Sequence, residues 1–230
     1  MNEYAEYILG TLKANSNPQK ASWLENYVKH NIRSLGVGIP RIRDVIRSTE
    51  KEYKLLGGAY SSQKEMLDDL MQNEYTESKL AAILYIQLFL KKENPEKLVD
   101  LISNWFDKNW IRDWNICDWL CVRLLSPLVD HHSDITLREL ELWNQHKNLW
   151  KARASLVPFA QCKTINAHWT TIENFSITLI KRDERFCKTA VGWVMRQYSK
   201  VDPSQVTEFL NKHEEWTTPE VIKNARKYMK

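Results

Sequence analysis

Trp114 and Asp118 stand four residues apart, the spacing that brings two side chains onto one face of a helix. An aromatic face attracts positive charge and a carboxylate neutralises it. Together they suit a cationic, sugar-derived transition state. Arg153 and Trp193 would complete such a site, but the four residues are spread over about 80 positions of the chain. They converge only if the elements that carry them line a common groove. Taken singly, each has an ordinary role: a Trp at helical spacing packs in a core, an Asp in a first turn complements the helix dipole, and an Arg pairs with an acid. Other chemistries have less to work with. Cys117, Cys121, Cys162 and Cys187 form no Cys-x-x-Cys pair, and His131-His132 has no third ligand at helical spacing, so no metal is expected. Six glycines, none in a Gly-rich loop, leave no place for a phosphate-binding loop or a dinucleotide fingerprint, and no organic cofactor is expected.

The elements that would position these residues follow from an internal repeat. Segments starting at Lys79, Asn115, Lys151, Lys188 and Lys223 fall into register at separations of 36, 36, 37 and 35 residues. That period belongs to stacked helix pairs, whose units bury their apolar faces on their neighbours. Asp118 interrupts the register, standing where the other segments carry Ala82, Ala154, Val191 and Arg226. Helical periodicity runs through almost the whole chain, with helices expected near 62–72, 75–91, 95–108, 112–128, 135–146, 148–161, 163–181, 184–200, 203–213 and 217–229. An earlier stripe of Trp23, Leu24, Tyr27 and Val28 follows a helix start at Asn17-Pro18, and Gly36 to Pro40 forms the strongest loop signal. No β-rich segment competes and no linker splits the chain. We therefore expect one all-α domain over residues 1–230, a superhelical solenoid of HEAT-like antiparallel helix pairs.

The net charge is +4, from 33 basic and 29 acidic residues, so segregation of charge onto one face matters more than its total. In a solenoid of this type the second helix of each pair lines the concave side. Lysines repeated there would follow a phosphate backbone with salt-sensitive affinity; the plainer alternative is that they are solvated caps. The cysteines read as reduced and buried. The chain opens with acidic residues rather than a basic signal region, and no apolar run reaches membrane-spanning length, so a cytoplasmic protein is expected.

Several blocks resemble the bacterial alkylpurine DNA glycosylases of the AlkD family. They are Asp113-Trp-Asn-Ile-Cys-Asp118, Trp150-Lys-Ala-Arg153-Ala, the run Phe186 to Tyr198 containing Gly192-Trp193-Val-Met-Arg196, Asn17-Pro18-Gln-Lys20-Ala21, Tyr27, and Leu35-Gly36-Val-Gly-Ile-Pro40-Arg41-Ile-Arg43. The resemblance runs in order over nearly the whole chain. It implies a basic groove and removal of N3- and N7-alkylated purines from duplex DNA, with the damaged pair held against an open groove. By the match, Asp118 is the catalytic carboxylate, Trp114 and Trp193 pack on the sugar, Tyr27 contacts the DNA, and Arg153 contacts a phosphate. Lys20, Arg41, Arg43, Lys188 and Arg196 are further candidate phosphate contacts, the two arginines after Pro40 lying at a helix start. The sequence departs from the family at Trp119, bulky beside the acid, and over residues 129–147.

A purine alkylated at N3 or N7 is already cationic and leaves as a neutral base. No general acid is needed; the oxocarbenium must be stabilised and a water oriented, which one ionised carboxylate can do. Uncharged lesions should be poor substrates. No lysine is paired with the Asp for Schiff-base chemistry, so strand cleavage is not expected. The expected partner is damaged duplex DNA, bound by a monomer. The rivals are a non-catalytic DNA-structure or damage-binding protein and a protein–protein scaffold.

Overall fold

The computed structural model describes residues 1–229, and among them the secondary structure is helical apart from one isolated bridge between Arg33 and Tyr75. The chain divides into two compact units, residues 1–123 and 124–230.

The first unit contains α1 (Glu3–Ala14), α2 (Pro18–Tyr27), α3 (Ile39–Tyr53), α4 (Tyr60–Gln72), α5 (Thr76–Phe89), α6 (Pro95–Asp107) and α7 (Trp114–Leu120). The expected start at Asn17 is a cap, and two further helices are capped in the same way. The side chains of Asn17, Asn94 and Asp113 accept backbone N–H groups of α2, α6 and α7. α5 forms the centre of the unit: every residue from Thr76 to Ile86 is buried, and α1, α3, α4 and α7 pack on it. α2 is the exception. It buries none of its residues, so the stripe of Trp23, Leu24 and Tyr27 is not a core face. Only Val28, just beyond the helix, is buried.

The second unit contains α8 (Ser126–His131), α9 (Ser133–Asn144), α10 (Leu149–Leu156), α11 (Trp169–Ile180), α12 (Arg185–Tyr198), α13 (Pro203–Lys212) and α14 (Pro219–Ala225). α10 is buried from Trp150 to Leu156, and α12 packs against α10, α11 and α14. Gly192 permits the last contact: a Cβ there would lie 3.2 Å from the backbone Cα and O of Val221. Three expected helices end early, 217–229 among them, which gives way after Ala225 to a 3-10 turn at Arg226–Tyr228. The span 112–128 breaks into α7, a π-helical turn over Cys121–Leu125 and α8, while the span 148–161 passes into a 3-10 turn at Val157–Ala160, where Pro158 withholds an N–H.

The repeat is visible in the helices. Lys79, Asn115, Lys151 and Lys188 fall near the starts of α5, α7, α10 and α12, while Lys223 lies in the last turn of α14. Their all-α helix pairs are joined by short connections such as Asn73–Tyr75 and Lys181–Glu184, which turn the chain back antiparallel. No helix among the described residues is long and apolar enough to cross a membrane. The four cysteines are buried and none is in a disulfide.

Candidate active site

The lysine register, expected to follow phosphates, is turned inward. Lys79 is 3% exposed, and its ammonium donates to the carbonyls of Met71, eight residues back in the last turn of α4, and of Trp110, 2.9 Å away in the lead-in to α7. Lys188 repeats the arrangement in the second unit, donating to Ile180 O at 2.8 Å, again eight residues back, and to Trp216 O at 2.9 Å. The physical reason is general. A helix C-terminus leaves carbonyls without partners and carries the negative end of the dipole, which a cation satisfies. Lys151 is buried too, its ammonium 5.7 Å from the ring centroid of Trp143, also eight residues back. Lys79 and Lys188 thus each join the preceding helix to a segment further along the chain, and Lys188, a candidate phosphate contact, makes these two bonds to carbonyls. Lys223, by contrast, is exposed.

The first clamp positions α7. Beside the Trp110 carbonyl lies Asp113, 1% exposed, whose Oδ1 accepts the Ile116 N–H at 3.0 Å and caps the helix. Burial raises the Asp113 carboxyl, while the Ile116 N–H and the nearby Lys79 ammonium hold it down. Burial likewise pushes Lys79 down to about 8, against a pull upward from Asp113 and a further push down from Arg112. With its start fixed at these points, α7 presents Trp114 and Asp118 on one face, both half-buried. Trp119, the bulky neighbour of Asp118, is half-buried, and the Arg123 guanidinium lies 4.9 Å from its ring centroid.

Tyr27 reaches this face from α2. Its ring meets Trp114 edge-on, with centroids 5.2 Å apart and planes at 73°. Trp23, one turn earlier on α2, stacks on Tyr27 at 5.4 Å with planes 6° apart. Residues separated by most of the unit's length therefore form one aromatic row beginning a turn from Asp118. The loop after α2 is held by Glu77 at the start of α5. This carboxylate, 1% exposed, accepts Ser34 Oγ at 2.7 Å, Leu35 N at 2.8 Å and Val37 N at 3.1 Å. Gly36, at φ +74°, allows the loop to approach α2, since a Cβ there would collide with the Asn17 carbonyl. A small cleft of about 210 Å³ opens on the same unit, lined among others by Arg33, Glu74, Lys79, Arg112 and Asp113. Asp118 is not part of its lining.

The other candidates differ in exposure. Lys20 and Arg41 are exposed, Arg41 Nε donating to Asn15 Oδ1 at 3.0 Å, and Arg43 is half-buried in the first turns of α3. In the second unit Trp193 is half-buried on α12. Arg153, expected at a phosphate, is 4% exposed; its Nη1 donates to Phe186 O at 2.6 Å and to Thr189 Oγ1 at 3.3 Å, so it serves the first turn of α12 rather than presenting an open guanidinium. Arg196 lies 6.0 Å from the ring centroid of Tyr228, which Lys200 at 4.3 Å and Lys227 at 5.9 Å also approach. The sequence reading named Arg196 without the Tyr228 ring beside it, and placed Trp23 in a stripe with Tyr27 without assigning it a role. Among the described residues, no group of three or more His, Cys, Asp or Glu side chains is placed to hold a metal ion.

Comparison with known proteins adds the following. The sequence model of a family described as DNA alkylation repair enzyme matches residues 8–229. A solved structure described as a predicted DNA alkylation repair enzyme from Enterococcus faecalis is similar with a TM-score of 0.80 at 20% identity, over 93% of this chain and 96% of that one. The X-ray structure of AlkD2 from Streptococcus mutans is similar with a TM-score of 0.61 at 16% identity, over 92% and 98% of the two chains. At these identities the structural likeness speaks for the fold. No curated protein matches the chain in sequence.

Proposed function

Because this chain belongs to the family of DNA alkylation repair enzymes, we propose that it is a monofunctional DNA glycosylase that hydrolyses the N-glycosidic bond of cationic N3- and N7-alkylated purines in duplex DNA. The observation that carries this reading is the face of α7, where Asp118 stands one turn from a tryptophan ring that Tyr27 meets edge-on.

The chemistry assigned to those groups is limited and specific. As the C1′–N bond lengthens, the bonding pair leaves with the base, which departs neutral because alkylation had already made it cationic. Positive charge grows on the deoxyribose. The Asp118 carboxylate stabilises that charge and orients a water molecule, whose oxygen bonds to C1′ as it gives up a proton to the surrounding solvent. The Trp114 ring adds its negative face to the same task. Lys20, Arg41 and Arg43 are proposed to meet phosphates, the arginines beside the open N–H groups at the start of α3. Trp193 and Arg196 enter on the resemblance of their sequence block alone.

Substrate charge tests the reading. Duplexes carrying N7-methylguanine or N3-methyladenine should lose the base, whereas a duplex carrying the uncharged lesion hypoxanthine should not, and no strand should be cut during the reaction. Release of hypoxanthine at a comparable rate would contradict the mechanism, because that base needs protonation to leave. Salt-dependent binding without release of any base would favour a non-catalytic damage-binding protein.

A further inference from the structure

Trp23 is a large apolar side chain that the fold leaves 65% exposed, on a helix that buries nothing. α2 is nonetheless held firmly. Asn17 donates its N–H to Leu35 O at 2.8 Å and accepts the Lys20 N–H on its side chain at 3.0 Å, while Glu25 accepts the Ser34 N–H at 2.8 Å. Those bonds, together with the Glu77 anchor of the adjoining loop, fix the helix by polar contacts and leave its aromatic face unused by the core. Lys20, Trp23 and Tyr27 recur at helical spacing, so a cation and two rings share that face.

We propose that Trp23 is a stacking platform for a nucleobase of the damaged duplex, specifically the base left without a pairing partner opposite the lesion. The inference deepens the glycosylase reading and rests on it. Three features favour a base over any other occupant. Tyr27 lies parallel against one face of the indole, at 5.4 Å and 6°, and at 65% exposure the other face is open to receive a second flat ring. The exposed Lys20, one turn away, offers a cation to the phosphate of the same strand, the combination that single-stranded nucleic acid takes. The row is also continuous with the proposed site: from Trp114 it takes two ring-to-ring steps, of 5.2 and 5.4 Å, to reach Trp23. A sugar handled at Asp118 and a base stacked on Trp23 must therefore belong to different nucleotides.

The test uses the full chain and a duplex with a tetrahydrofuran abasic site opposite 2-aminopurine, whose emission falls when it stacks. Binding of wild-type protein should quench the emission. Trp23→Ala should restore it and weaken binding to this duplex by about tenfold, the scale of one stacked base, with little change for an undamaged duplex. Trp23→Phe should keep most of both effects. Because Trp23 is exposed, far-ultraviolet circular dichroism and melting of both variants should match wild type. Equal quenching and affinity in wild type and Trp23→Ala would overturn the proposal while leaving the glycosylase reading intact if N7-methylguanine is still released. Failure of wild type to bind the abasic duplex or to release any base would overturn both.

Discussion

Replacing Lys79 by methionine keeps an unbranched stem of similar length and removes the ammonium that joins α4, α5 and the lead-in to α7. Two carbonyls, Met71 O and Trp110 O, then lose a charged donor. Hydrogen bonds to charged groups are worth roughly 1.5–3 kcal/mol each, so about 3–6 kcal/mol is at stake. The variant also escapes a cost. Holding the ammonium in a buried site moves its titration from 10.5 to about 8, which corresponds to roughly 3 kcal/mol. The hydrogen bonds outweigh or balance the burial cost, and the variant should be less stable near neutral pH by up to about 3 kcal/mol. The pH dependence is more telling. Above about pH 8 the folded protein releases the Lys79 proton, while the unfolded chain keeps it until about 10.5. The unfolded state then binds more protons, so wild-type stability should rise with pH across that window. The methionine variant lacks this contribution. Urea unfolding of both proteins, followed by tryptophan fluorescence between about pH 7 and pH 10.5, should show the wild-type advantage growing by roughly 3 kcal/mol. An advantage that stays constant across the range would refute the buried-clamp reasoning.

Three further substitutions test the framework around α7 and the repeat. Glu77→Gln replaces an acceptor for three hydrogen bonds by a group with one acceptor oxygen; it should cost about 2–4 kcal/mol and speed hydrogen exchange at the Leu35 and Val37 amides. Gly36→Ala sets a side chain at φ +74° against the Asn17 carbonyl. It should cost more than about 1 kcal/mol and expose α2 to limited proteolysis. Gly192→Ala pushes a methyl group against the Val221 backbone at 3.2 Å, and a melting experiment should show a loss of about 1–3 kcal/mol.

The helix content and the repeat could be read from the chain, because a 36-residue register is a property of sequence alone, whereas Asp118 was assigned its role through the resemblance of its block to a known family. The role of the repeated lysine could not. Lys79 and Lys188 find their partners in carbonyls eight residues back and about thirty residues ahead, and only the packing of successive helices creates that coincidence. The exposure of the Trp23–Tyr27 stripe was hidden for a related reason. Periodicity reports that a helix has an apolar face, not how far anything covers it, and in α2 no residue is buried. Arg153 shows the converse, a charged residue in a motif that implied exposure, yet buried against the first turn of α12. The edge-on meeting of Tyr27 with Trp114 lay beyond any local pattern, since 86 residues separate the two in the chain.

The central claim is that Asp118 does the chemistry. Asp118→Asn keeps the shape and removes the charge, so the most direct measurement compares base release from an N7-methylguanine duplex by wild type and this variant, with affinity for the same DNA measured alongside. The account predicts release by wild type, loss of nearly all of it in the variant, and affinity kept within a few-fold. Undiminished release by Asp118→Asn would contradict it.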